Sequence, residues 1–487
     1  MKFFYPILIA ICLFGQMIDD NNSQLYAQWQ TDLRLTNDPA LSSTSFNNAR
    51  CVSASGDSVH VVWYDNHDGN NEIYYRRSID AGISWESETR LTNNSATSEL
   101  PSIAVLGSVV YVVWFDFRDG NNEIYFKRST DAGVSWEADT RLTDNSSPSD
   151  YPSLSISDSV VNVVWREGRD SNWEIYYKRS TDGGLTWDSD TRLTIDPASS
   201  FNPSISANGS EVHIVWYDFR DGNGEIYYKH STDGGLSWGE DTRLTNNSGS
   251  SLAPSISVSA SDIHVVWQDD RDGDHKIFYI RSSDEGINWE QDTCITDNLD
   301  SSYLPSVVVS GFVVHVVWAN EQPGNREIYY KRSTDAGTNW EQDIQLTNAS
   351  EESWLPSVSL SGSILHVVWR DERDGNREIY YKRNPNANVT EIENFITNLP
   401  TELNLAQNYP NPLNPVTTIK YSIPQRSNVT LKVYDILGNE VAVLVNEEKE
   451  RGVYTVNFDA SGLASGMYLY RLQAGSFVET KKMILLK

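Results

Sequence analysis

Cysteine is scarce in this chain of 487 residues: there are three, and only Cys51 and Cys294 lie beyond the N-terminal apolar run. They fall in the first and fifth units of the repeat described below, so they are not expected to meet as a disulfide. Positive charge is also short, with 38 Lys and Arg against 67 Asp and Glu and a formal net charge of −29. Nucleic acid and anionic membrane both require a basic face, so neither is an expected partner. Long apolar runs are missing with one exception, Met1 to Phe14, a lone Lys2 followed by roughly a dozen apolar residues, too short to span a bilayer and suited to a secretory signal. Residues 1–27 are read as that signal, cleaved after Ala27, which leaves no transmembrane segment in the mature chain. No nucleophile elbow, zinc-ligand spacing or phosphate loop occurs, and no cofactor or metal is expected.

What is present is a repeat. Trp63, Trp114, Trp165, Trp216, Trp267, Trp318 and Trp369 follow one another at one constant interval of 51 residues. A fixed period held without insertion is the sign of a repeat architecture. Each copy reads approximately PSIxV, then VHVVWxDxRDGNxEIYYKRS, then TDGGxSWExDTRLT. Runs rich in Val, Ile, Tyr and Trp between turn-forming residues read as four β-strands per copy, which makes a propeller blade. In the second copy strand A starts at Pro101, B covers Val110 to Trp114, C starts at Glu123 and D runs from Trp136 to Thr143. The chain is rich in aromatics, with 16 Trp and 25 Tyr, and flat rings suit the face-to-face packing of blades.

The seventh copy lacks strand D, because Tyr380 to Arg383 runs into Asn384-Pro-Asn-Ala-Asn. Gln28 to Thr36 carries the same Trp-to-Thr spacing as Trp85 to Thr92, so the N-terminal segment is expected to supply the missing strand and to close the ring. The expected fold is therefore all-β: a seven-bladed propeller over residues 28–383, a linker at 384–401 and a small C-terminal β-sandwich at 402–487.

A second motif, Ser-x-Asp-x-Gly-x-x-Trp, recurs six times around Asp80, Asp131, Asp182, Asp233, Asp284 and Asp335. It is the Asp-box, and the ring resembles the BNR-repeat, sialidase-like propellers. Physically the box is a hairpin between strands C and D. Its Asp accepts backbone N–H bonds, its Gly takes a positive φ and its Trp packs back onto the blade. Six identical boxes read as punctuation of the fold rather than as calcium or sugar ligands, and the resemblance implies that they lie away from the functional face.

Strands alternate in direction, so the B–C hairpins and the D–A connections share the face opposite the boxes. Arg118, Arg169, Arg220, Arg271 and Arg373 repeat in the B–C hairpins, each flanked by acidic residues, and structural ion pairing is the expected role. The run Asp269 to Asp274 lacks the bidentate Glu of a calcium loop. His60, His213, His264, His315 and His366 share one strand-B position on separate blades, too dispersed to hold a metal together.

A binding or catalytic site needs different residues converging on one point, so departures from the repeat are the informative positions. In the first blade Arg50-Cys51-Val52 replaces the Pro-Ser-Ile-like start of strand A, and Arg50 is expected to face the central opening. In sialidases an Arg-Ile-Pro motif at a similar place gives one of three arginines that clamp the sialic acid carboxylate. Only Arg50 matches it, and the family's Tyr nucleophile with its Glu, and its Asp acid/base, find no unique positions here. Phe201, Tyr303 and Trp354 share one position just before strand A, and Trp173 decorates a B–C hairpin. Aromatic rings at a channel mouth either stack on sugar rings or pack the connecting loops. Arg166 breaks the repeat in the third blade.

Beyond Thr401 the composition changes. Asn408-Tyr-Pro-Asn-Pro412, Leu437-Gly-Asn439, Gly462-Leu-Ala-Ser-Gly466 and the basic, apolar tail Lys481 to Lys487 resemble the type A sorting domain of the type IX secretion system. Its alternating strands and Gly or Pro turns read independently as a small sandwich. The resemblance implies a Gram-negative bacterium, the type IX machinery as partner, and release or attachment at the outer cell surface. Three functions follow as alternatives: a module binding a glycan or surface polymer, an exo-glycosidase of the sialidase type, and a structural platform for protein interaction.

Overall fold

A computed structural model describes residues 29–46, 50–169, 171–296, 300–321, 324–387, 402–449, 452–475 and 477–486. The expected signal at 1–27 and all but the first four residues of the expected linker lie outside them. Among the described residues every regular element is a strand, and no helix is long and apolar enough to cross a membrane. The chain divides into two compact units, residues 1–388 and 389–487.

Among the described residues the first unit holds seven sheets. In blade 2 strand A is Ser98–Leu106, B is Val109–Asp116, C is Glu123–Ser129 and D is Thr140–Arg141, paired in that order and all antiparallel. Strand B is apolar on both faces for a physical reason. Val110, Val112 and Trp114 pack with Val62, Ile73 and Tyr75 of blade 1, while Tyr111, Val113 and Phe115 pack with Leu154, Val161 and Trp165 of blade 3. A sheet covered on both sides needs no polar alternation, so its sequence reads as a near-continuous run. The seven central tryptophans are fully buried in these interfaces.

The ring is closed as the sequence suggested. Leu33–Arg34 pairs with Glu378–Asn384, placing Leu33 opposite Tyr381 and Arg34 opposite Tyr380. Leu35, Val368, Ile379 and Tyr381 of the last blade share one core with Val59, Val61 and Trp63 of the first. The outer tryptophans trace the same circuit: Trp85 stands edge-on to Tyr381, Trp136 to Tyr75, Trp340 to Tyr279, and Trp29 to Tyr330, with centroids 4.9–5.0 Å apart. Here the expectation is corrected, because the box Trp packs on the preceding blade rather than its own. The hairpin leans across the blade boundary, so Gly82 sits over Tyr381, and a Cβ there would lie 1.9 Å from the phenol oxygen.

Around the central opening, serines substitute for a sheet partner. Ser53 Oγ accepts the Val105 N–H at 3.1 Å, Ser155 the Ala207 N–H at 3.0 Å, and Ser357 the Cys51 N–H at 2.9 Å. Blades 1, 3, 4, 5 and 7 thus satisfy backbone donors on the inner strand of the next. Both described cysteines are free, Cys51 buried and Cys294 exposed.

The second unit pairs Asn404–Leu405, Val416–Ile423 and Gly452–Asp459 in one sheet and Glu440–Lys449, Ser427–Tyr434, Gly466–Ala474 and Phe477–Leu485 in another. Ile419 and Tyr421 from the first and Leu431, Tyr470 and Met483 from the second share a single core.

Candidate ligand-binding face

The two faces of the ring differ in kind. On the box face, the A–B hairpins and the boxes are bonded to each other, as in Ala81 N–H to the Asp57 carbonyl. Each box Asp is consumed within its own hairpin. Asp80 accepts the Ser84 N–H at 2.8 Å and the Ser84 and Ser78 hydroxyls at 2.5 and 2.7 Å. Asp131, Asp182 and Asp233 do the same, and at Asp284 and Asp335 the amides of Asn288 and Asn339 take the place of the second hydroxyl. Those bonds, from the Ser84 hydroxyl first, hold Asp80 down to about 2. No oxygen of Asp80 is left without a hairpin donor.

On the opposite face the repeated arginines are ion-paired. Arg118 bridges Asp116 at 2.6 Å and Asp139 at 2.7 Å, and Arg220, Arg271 and Arg373 make the same bridge with Asp218 and Asp241, Asp269 and Asp292, and Asp371 and Asp32. Burial pushes the Asp116 carboxyl upward, but hydrogen bonds from Arg118, Trp114 and Ser98 outweigh it and lower its pKa. The Asp269 to Asp274 run is therefore occupied by its own Arg271. The repeated histidines are likewise accounted for: each places Nδ1 within 2.6–2.9 Å of a tyrosine hydroxyl in its own blade.

Apart from Arg50, the candidate residues fall at three positions of the blade, and the fold brings these positions together. The first carries Glu99, Asp150, Phe201, Leu252, Tyr303 and Trp354; it lies inside strand A, not before it, just upstream of a bulge at the following X-Pro step. The residue before each of these prolines has a positive φ, as at Leu100 and Tyr151, because proline removes a ladder donor and the chain must kink to resume pairing. The second position follows the central Trp and lies directly opposite the first, as in Asp150 opposite Arg166, Phe201 opposite Tyr217 and Trp354 opposite Arg370. The third ends the B–C hairpin, where Trp173, His275 and Arg326 stand. Third positions touch first positions of the next blade: the His275 and Tyr303 rings are 4.9 Å apart, and the Arg326 guanidinium lies 4.5 Å over Trp354.

Five of the six candidate ligand-binding residues lie at these positions, in two groups. Arg166, Trp173 and Phe201 come together. The Arg166 guanidinium lies 4.0 Å from Tyr151, 4.4 Å from Trp173 and 5.3 Å from Phe201, and its Nε donates to Asp150 at 2.6 Å. Tyr303 and Trp354 form the other group, 5.6 Å apart, with the Tyr303 hydroxyl donating to Glu321 at 3.2 Å and Arg326 paired with Glu352 at 3.0 Å. Arg50 stands apart, in the central channel, on a cavity of about 190 Å³ lined also by Ser53, Ser155, Ser206 and Ser257. Burial lowers its pKa, and among the described residues no carboxylate pairs with it. The sequence reading missed Tyr151, Tyr217, Arg326 and His275. Comparing the seven copies column by column exposes three of them, since Tyr217, Arg326 and His275 occupy columns in which no residue dominates.

Residues 407–486 match the family model described as Secretion system C-terminal sorting domain. The chain thus carries a type IX sorting module and is exported to the cell surface or beyond it. No curated protein matches the chain by sequence. Among solved structures, polysaccharide lyase Uly1 is similar with a TM-score of 0.52 at 10% identity, over 74% of this chain and 100% of that one. Trypanosoma rangeli sialidase bound to the inhibitor DANA is similar at 0.45 and 11%, over 81% and 85%. The GH93 α-L-arabinofuranosidase of Fusarium graminearum with arabinobiose is similar at 0.41 and 15%, over 57% and 89%. The likeness to the lyase is one of fold alone, and the other two add no argument.

Proposed function

We propose that the ring, spanning residues 28–383 and joined by the linker 384–401 to the sorting module at 402–487, is a glycan-binding module displayed at or released from the cell surface. The observation that carries this reading is that set of positions. Three adjoining positions per blade on one face differ from blade to blade while the core residues repeat, and that face gathers partly exposed aromatic rings around Trp173 and Trp354. Half-exposed rings can cover the C–H face of a sugar while the neighbouring carboxylates and guanidinium groups accept and donate to its hydroxyls. The pairing of Arg166 with Asp150 and of Arg326 with Glu352, together with a net charge of −29, favours neutral sugars over polyanions.

The test is a glycan array probed with the full chain, followed by titration of the best ligand against Trp354→Ala and Trp173→Ala. Loss of one stacked ring should weaken binding by roughly two- to tenfold, since an aromatic contact contributes about 0.5–1.5 kcal/mol beyond its buried area. Binding unchanged in both variants would remove the reading. Turnover of a fluorogenic sialoside that vanishes in Arg50→Ala would replace it with the exo-glycosidase reading, for which Arg50, in the channel and paired with no carboxylate among the described residues, is the supporting observation.

A further inference from the structure

We propose that blade 1 holds a divalent cation between Asp38, Asp65 and His67, at the station where the sibling blades hold a guanidinium. The sequence alone gave no expectation of a metal here; the comparison between blades does.

In five blades the residue that ends strand B is a buried carboxylate, and an Arg two residues later neutralises it and bridges to the acid just before strand D. Blade 6 has lost both partners together, with Asn320 and Gln322 in those places. Blade 1 has lost only the cation. Asp65 is fully buried and His67 replaces the Arg. The imidazole occupies the same station: its ring is 4.5 Å from Tyr74, as the Arg118 guanidinium is 4.3 Å from Tyr125. A buried carboxylate without a full counter-charge is costly, and here the surplus is larger than one charge. Asp38 enters from the D–A connection, Asp68 follows His67, and Glu88 replaces the strand-D acid. Arg90 is already engaged by Asp68 at 2.7 Å and Glu72 at 2.9 Å, and Arg76, which faces Glu88, donates to the Glu86 and Leu35 carbonyls.

The ligand atoms are already gathered. One oxygen each of Asp38 and Asp65 and a nitrogen of His67 lie within 4.8 Å of one another. His67 Nδ1 is 2.8 Å from Asp65 Oδ1 and 3.8 Å from Asp38 Oδ2. Ligands bonded at about 2.0–2.2 Å to one small cation stand about 3.0–3.5 Å from each other, so adjustments of under about 1 Å complete the set. A separate mark of the altered station is Trp63. In the five sibling blades the central indole N–H donates to the strand-B carboxylate at 2.8–3.2 Å. Trp63 is fully buried and its Nε1 finds no partner among the described residues, although Asp65 accepts the Ser42 hydroxyl and the His67 N–H as Asp116 accepts those of Ser98 and Arg118. One imidazole with two carboxylates suits zinc or manganese better than calcium, which takes six to eight oxygens.

The experiment uses the full chain, stripped with chelator and titrated with Zn²⁺ and Mn²⁺ by calorimetry, with bound metal counted by mass spectrometry. The comparison is with His67→Arg, which restores the arrangement of the siblings, and with Asp38→Asn. The expected result is one equivalent in the parent whose Kd rises at least about 100-fold in both variants, and a metal-dependent rise in Tm that His67→Arg lacks. His67→Arg decides alone if Asp38→Asn does not fold. Equal metal content in parent and His67→Arg, or no bound equivalent in the parent, overturns the proposal; in the second case a protonated His67 supplies the charge instead.

Discussion

Acid should unfold this ring through its repeated histidines. His60, His213, His264 and His366 are almost completely buried, and burial lowers their pKa values from 6.5 to about 4, 3, 3 and 3 respectively, with nearby Arg or His charges adding to it. A folded pKa below the unfolded one means that the unfolded chain takes up the proton first as pH falls. The stabilisation is therefore complete above about pH 6.5 and is lost as pH drops toward the folded values. At pH 5 each site has lost about 2 kcal/mol, from roughly 1.5 pH units at about 1.4 kcal/mol each. Four such sites lose about 8 kcal/mol, comparable with the whole stability of many domains. The ring itself suggests the control. At the same position blade 3 carries Asn162, whose Oδ1 accepts the Tyr177 hydroxyl at 2.6 Å, as His264 Nδ1 meets Tyr279 at 2.7 Å. His264→Asn should fold normally at pH 7. Its fall in Tm between pH 7 and pH 5 should be smaller than the parent's by about 3 °C for a ring of this size. Identical pH profiles for parent and variant would refute the reasoning.

Two further outcomes concern the architecture. Gly235→Ala should be more destabilising than Gly222→Ala, although φ is +85° and +97°, because the new methyl meets the Tyr177 hydroxyl at 2.0 Å in the first case and open space in the second. The backbone term costs about 1–2 kcal/mol in both and overpacking adds about 1–3 kcal/mol at Gly235, to be read from denaturant midpoints at pH 7; equal midpoints would mean that the box does not bear on its neighbour. Deleting residues 29–36 should leave Glu378–Asn384 as an open edge, lower the Tm and promote self-association seen by light scattering. A truncated chain as stable and monomeric as the parent would show that the N-terminal strand does not close the ring.

Strand identity, blade order and the closing strand could be read from the chain, because each rests on local periodicity and on a spacing that no insertion disturbs. The sorting module was equally legible from its turn residues. The candidate face was legible in part: Phe201, Tyr303, Trp354, Trp173 and Arg166 declared themselves as breaks in the repeat. Their grouping did not, since Trp173 meets Arg166 across a hairpin and Tyr303 meets Trp354 across a blade boundary. Only the tertiary structure decided which blade the box Trp leans on, that three separate positions of the blade come together on one face, and that Asp38 joins Asp65 and His67. The physical reason is that propensity and pattern act within a few residues, whereas these contacts depend on how one sheet is set against the next.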